Sequence, residues 1–205
     1  MFKKIASDAL GLSDIGVVVP KSDFDKTDAD DFIFTELDEQ IYFLIKTKAD
    51  EYCFTNRAFI HVDGTSALSK KRLLRRYEYE FYTFENVFLE TAGTIDLDVE
   101  IKFTLSNQEF SIDIHKKFIN EIKDLYKALH AISTEQKHGA YYVKAAEDSL
   151  QIAANAVGRS GSGAAVSTAD SFEQIAKFAN DWLVEQKSMH RKKDFSEVFE
   201  LFIHN

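Results

Sequence analysis

Chemistry in a protein needs thiols, imidazoles, grouped carboxylates or grouped cations, and this chain has each of them in a setting that spacing can test. Its one cysteine, Cys53, stands in the aromatic run at 51–56. A nucleophilic thiolate needs a basic partner and partial exposure. Aromatic neighbours supply neither, so Cys53 reads as a buried structural thiol. A lone cysteine also excludes an intramolecular disulfide and argues against a thiolate metal site, which suits a reducing cytoplasm. The six histidines, at 61, 115, 130, 138, 190 and 204, have no spacing of the HExxH kind. His115 falls on the polar face of its strand. No catalytic residue, no metal ligand and no cofactor is therefore assigned.

Two further patterns fail their tests. The acidic stretch with Asp23, Asp25, Asp28, Asp30 and Asp31 has Asp28 and Phe34 where a calcium loop opened at Asp23 needs Gly and Glu, so it reads as a solvated acidic linker. The glycine run at 158–163 lacks the Lys-Ser/Thr of a phosphate loop, and Ser162 takes the closing glycine's place in a nucleophile elbow. It reads as a linker between helices. One charge feature survives: Lys70, Lys71, Arg72, Arg75 and Arg76 put five cations in a chain of net charge −9. Such a cluster can attract a lipid head group or another anionic ligand. On an extended strand, Lys70, Arg72 and Arg76 face one way and Lys71 and Arg75 the other, and Glu78 and Glu80 stand close enough to neutralise them. An exposed edge strand or subunit contact explains the same residues.

These side chains must be held by elements whose signals are mostly β. Eighteen Phe, eight Tyr, one Pro and 45 % apolar residues over 205 positions describe an ordered, aromatic-rich chain able to bury a core. The acidic balance speaks against general nucleic-acid binding. No run reaches the roughly 18–20 apolar residues of a membrane span, and Asp8 interrupts any signal-peptide core, so a cytoplasmic location is expected. Phe2, Ile5, Ala9 and Leu12 predict a short helix at 2–12. Short β-like runs follow at 32–37, 41–48, 51–56, 58–64, 73–82 and 86–93. Between 94 and 105 apolar and polar residues alternate without a break, and after a turn at 106–108 the alternation returns through Phe110, Ile112 and Ile114. At Lys116 the period becomes helical, with Phe118, Ile122, Leu125, Leu129 and Ile132 on one face of a helix at 116–133.

Beyond Gln136 the texture is helical: an Ala-rich stretch to 157, then a helix opened by a capping box of Asp170 and Glu173, with Phe172, Ile175, Ala179, Trp182 and Leu183 on its apolar face. Phe195, Val198, Phe199 and Phe202 mark a third short helix or a continuation. Two short helices rarely stand alone, so this tail must pack on the β-domain or on another subunit.

The segments at 10–16, 28–32, 41–46, 50–56, 59–64, 69–72, 89–103 and 123–129 together resemble the bacterial pleckstrin-homology domain family, over about residues 1–133. The tail is similar to the helical-hairpin extension of YvbH-like members. The resemblance implies an α+β, mainly β fold: a seven-stranded antiparallel sandwich, barrel-like, capped by the helix at 116–133. The division is 1–135 for the pleckstrin-like domain, with strands over about 32–115, and 136–205 for the helical hairpin. The resemblance also implies homo-oligomers, rings among them. Lipid binding does not carry over, because Lys46 and Lys48 in the hairpin are opposed by Asp50 and Glu51. The expected function is a non-catalytic scaffold that self-assembles through its pleckstrin-like domain, with anionic-ligand binding at 70–76 as the alternative. No nucleic-acid partner is expected.

Overall fold

Alternating polarity, aromatic side chains and a switch of period at Lys116 build two antiparallel sheets and three helices in a computed structural model. It describes residues 15–64, 72–91, 98–159 and 168–204. The first sheet runs in the order β1 (Val17–Val18), β2 (Ile41–Lys46), β3 (Glu51–Thr55), β4 (Ala58–Gly64) and β5 (Arg72–Glu78). The second holds β6 (Glu85–Glu90), β7 (Asp98–Leu105) and β8 (Gln108–His115). Among the described residues, seven strands are of ordinary length and β1 has two residues, so the expected sandwich is present, and these strands form no closed barrel. Gly16 joins the sheets: its N–H donates to Asp113 (2.7 Å), and its carbonyl accepts from His115 (2.9 Å). A Cβ there would lie 2.7 Å from Ile45, which is why the position is glycine.

β7 and β8 obey the alternation seen in the sequence, with Val99, Ile101, Phe103 and Leu105 turned inward opposite Phe110, Ile112 and Ile114. The tight turn between them uses Ser106 and Asn107, both at positive φ. Residues 94–97 of the expected strand lie outside the described residues, as does the expected helix at 2–12. Between the sheets, rings interlock: Phe59 meets Phe103 edge-on at 5.2 Å, and Phe103 stacks on Phe110 at 5.1 Å. Each such fully buried side chain contributes roughly 1.5–3 kcal/mol.

Three readings of local structure are corrected. Residues 32–37 form no strand; 3-10 turns at Ala29–Phe32 and Thr35–Leu37 flank an irregular Ile33 and Phe34. The Phe34 N–H donates to the Glu39 carboxylate instead of to a ladder, and Asp38 takes a left-handed conformation. The acidic stretch is not a solvated linker. It is a strap over the outer face of the first sheet, with Phe24 and Ala29 buried beside Leu44, Cys53 and Ile60. Finally, the helices read at 116–133 and from 139 are one, α1 (Ile119–Arg159), preceded by a 3-10 turn at Lys116–Phe118. No proline interrupts the stretch, and one glycine does not end a helix.

The residues divide into two compact units, one reaching to Thr134 and resumed at Lys193, the other Glu135–Lys192. In the first, α1 covers the sandwich with Ile122, Leu125, Leu129 and Ile132, all fully buried, and the Ser133 hydroxyl donates to the Phe84 carbonyl at 2.6 Å. The last helix, α3 (Ser196–Phe202), also belongs to this unit, where Phe195, Val198 and Phe199 join the main core. The second unit is α1 beyond Thr134 together with α2 (Thr168–His190). Asp170 lies inside α2, so the expected capping box does not open that helix.

Candidate interaction surfaces

Strand β5 carries the described part of the basic cluster; Lys70 and Lys71 lie outside the described residues. Its three arginines do not converge. Arg72 reaches Asp28 of the strap (3.3 Å), while Arg75 reaches Asp63 of β4 (3.2 Å). Arg76 contacts Glu39 (2.9 Å) and Glu78 (3.4 Å), and its guanidinium lies 4.4 Å from the Phe34 ring centroid. The side chain of Glu39 is fully buried and also accepts from the Thr55 hydroxyl at 2.6 Å. The acidic strap and the basic strand, separate features in the sequence, thus meet through Asp28 and Arg72. Glu80 pairs with Lys193 rather than with the cluster.

Cys53 is completely buried, and burial pushes its thiol well up, with Glu51 and Glu39 adding to the effect. It holds no position for nucleophilic chemistry. Sequence reasoning did not single out His61. Its ring stacks on Tyr52 at 4.8 Å and meets Phe110 edge-on at 5.7 Å. Neither ring nitrogen has a hydrogen-bond partner among the described residues, and Asp50 stands 3.6 Å away. Among the described residues, no group of three His, Cys, Asp or Glu side chains is placed to hold a metal ion, and no helix is long and apolar enough to cross a membrane.

The end of the chain is locked to the β-unit by a polar contact that has no sequence signature. The Asn56 side-chain amide donates to Asp194 (2.6 Å) and to the Asp38 carbonyl (3.1 Å), and the Phe195 N–H donates to the Asn56 carbonyl (2.8 Å). Asp194 in turn accepts from the Ser196 N–H (2.8 Å) and hydroxyl (2.5 Å), which anchors the first turn of α3.

In the helical unit, α1 and α2 touch closely at one end. A Cβ on Gly139 would come within 2.1 Å of the His190 carbonyl oxygen. Tyr142 stacks on His190 at 5.0 Å, and Lys187 pairs with Glu147 at 3.3 Å. Further along, the helices leave an open groove of about 620 Å³, lined by Leu150, Ala153 and Ala154 of α1 and by Ile175, Phe178 and Leu183 of α2. Within its lining, Ile175 is 48 % exposed and Phe178 69 %.

Residues 9–133 match the bacterial PH domain family, more than half of the chain. The chain belongs to the bacterial PH domain family. Residues 144–205 of this PH-domain protein match a second family, the YvbH-like oligomerisation region. It is 51 % identical over its 205 residues to the uncharacterised protein YvbH of Bacillus subtilis strain 168, with all of both chains covered. It is also similar to the crystal structure of a PH-domain-containing bacterial protein from Exiguobacterium sibiricum, at 42 % identity and a TM-score of 0.83, over 93 % of this chain and 100 % of that one.

Proposed function

We propose that this PH-domain protein is a non-catalytic interaction module that assembles with further copies of itself, and that the helical unit carries the contact. The observation behind this reading is the apolar groove and its exposed Ile175 and Phe178. Two helices bury only the stripes they turn to each other, and the rest needs a partner. The match to an oligomerisation region over 144–205 supports the same surface. So does charge. Between Glu135 and Lys192, seven Lys and Arg cancel seven Asp and Glu, so the whole −9 of the chain falls elsewhere, and two such segments meet without net repulsion.

The family resemblance implies assembly through the pleckstrin-like domain; the groove favours the tail instead. Residues 1–135 then serve as the presented domain and 136–205 as the assembly extension, whose last helix returns to the β-unit. A cytoplasmic setting agrees with the single cysteine. The alternative, anionic-ligand binding at Lys70, Lys71, Arg72, Arg75 and Arg76, has less support, since the three described arginines are matched by carboxylates.

Light scattering of the full chain over a range of concentrations tests the proposal. A mass above the 23.4 kDa of one chain is expected. The double substitution Ile175→Asp with Phe178→Asp should return the mass to one chain without loss of helical circular dichroism. A wild-type mass of one chain at every concentration would overturn the reading.

A further inference from the structure

Beside β1, the β-unit holds a small cavity of about 220 Å³ whose walls and rim differ sharply in character. Val17 and Val18 of β1 and Pro20 form one apolar side, and Phe118, from the turn that precedes α1, forms another. Three lysines line the same space: Lys26, Lys46 and Lys117. Two of them are occupied. Lys26 sits 2.5 Å from Asp23, and Lys46 pairs with the buried carboxylate of Glu51. Lys117 has no carboxylate partner among the described residues, and its ammonium lies 4.7 Å from the Phe118 ring centroid.

We propose that this cavity binds a small aliphatic monocarboxylate, with its carboxylate on Lys117 and its hydrocarbon body against Val17, Val18 and Pro20. The charge arithmetic selects a monoanion. Among the described residues, Lys117 is the one lining ammonium without a carboxylate, which matches one negative charge, while Asp23 in the lining repels a second. Phosphate groups are characteristically held by arginine forks or several cations, and no arginine lines this cavity. The valine and proline walls disfavour an anion without an apolar part. The volume falls below the roughly 300–1,000 Å³ of sites for drug-sized ligands, so the ligand is short. Lys117 and Phe118 act together: the ring walls the cavity, and it also holds the ammonium by a cation–π contact. This inference does not depend on assembly through the helical unit.

Amide NMR titration of the full chain with hexanoate, hexylamine, hexanol and inorganic phosphate tests it. Hexanoate should give saturable shifts confined to Val17–Thr27, Lys46, Lys117 and Phe118, with half-saturation below about 10 mM. Lys117→Gln should weaken hexanoate binding about tenfold, and Lys117→Arg should restore most of it. Four results would each overturn the proposal: no saturable shift with hexanoate, saturation by hexylamine or hexanol at the same concentration, preference for phosphate, or undiminished binding to Lys117→Gln.

Discussion

Asn56 and Asp194 lie 138 positions apart in the chain, yet the amide of the first donates a 2.6 Å hydrogen bond to the carboxylate of the second. Asn56 is buried at the end of β3, and besides Asp194 its side chain serves the Asp38 carbonyl and the Gln40 N–H. Asn56→Ala leaves several of these groups without a partner and should lower stability by about 2 kcal/mol. A shifted urea midpoint at unchanged slope checks this.

Asp194 also makes the lock sensitive to acid. Partial burial alone would raise its carboxyl, but hydrogen bonds from Ser196 and Asn56 outweigh burial and hold it below its ordinary value. Its folded value is thus lower than its unfolded one. The stabilisation is present in full above the ordinary range of about 4 and is lost as pH falls through the depressed value. The residue is substantially solvated, so the effect is reduced by screening. Asp194→Asn should flatten the acid limb of a stability-versus-pH curve, measured by chemical denaturation from neutral to acidic pH.

Arg76 and Glu39 separate a structural role of the basic strand from a ligand role. Removing the guanidinium strands a carboxylate whose side chain is fully buried. Arg76→Gln should therefore cost about 3–5 kcal/mol in thermal or denaturant unfolding. Substituting Lys70, Lys71 and Arg72 together by Gln should leave sedimentation with acidic vesicles unchanged. Salt-sensitive vesicle binding that this triple variant loses would instead favour the anionic-ligand reading.

His61 carries two buried ring nitrogens with no hydrogen-bond partner among the described residues; its ring stacks on Tyr52, and Asp50 stands 3.6 Å from Nε2. His61→Phe keeps the stack on Tyr52 and removes the desolvation cost. The variant should gain about 1 kcal/mol at neutral pH, a rise of about 2–4 °C in the melting temperature.

Gly139 permits the close contact of the two long helices. In an open helix, alanine would be favoured over glycine by about 1 kcal/mol. Here the added methyl meets a backbone oxygen, which cannot rotate away. Gly139→Ala should destabilise the helical unit by about 1–3 kcal/mol. The single tryptophan, Trp182, lies on α2, so its fluorescence reports that unit's unfolding midpoint.

Local periodicity determined the parts of this protein that answer to neighbours in sequence. The alternation at 98–105 and 108–115 demands one wet and one dry face, and the hairpin has both. The change of period at Lys116 calls for the covering helix, and the aromatic setting of Cys53 calls for its burial; the structure has each. Tertiary structure decided what depends on residues far apart. Nothing local at 23–39 announces that Asp28 and Glu39 will meet Arg72 and Arg76, because a charge finds its partner through the folded path of the chain. The strap therefore has the local signature of a linker, and residues 32–37 that of a strand. Composition changes between Ser133 and Gly139, yet without a proline or a cap the helical hydrogen bonds continue. Asn56 and Asp194 had no signal at all: a single buried amide becomes a lock only when α3 is brought back against β3.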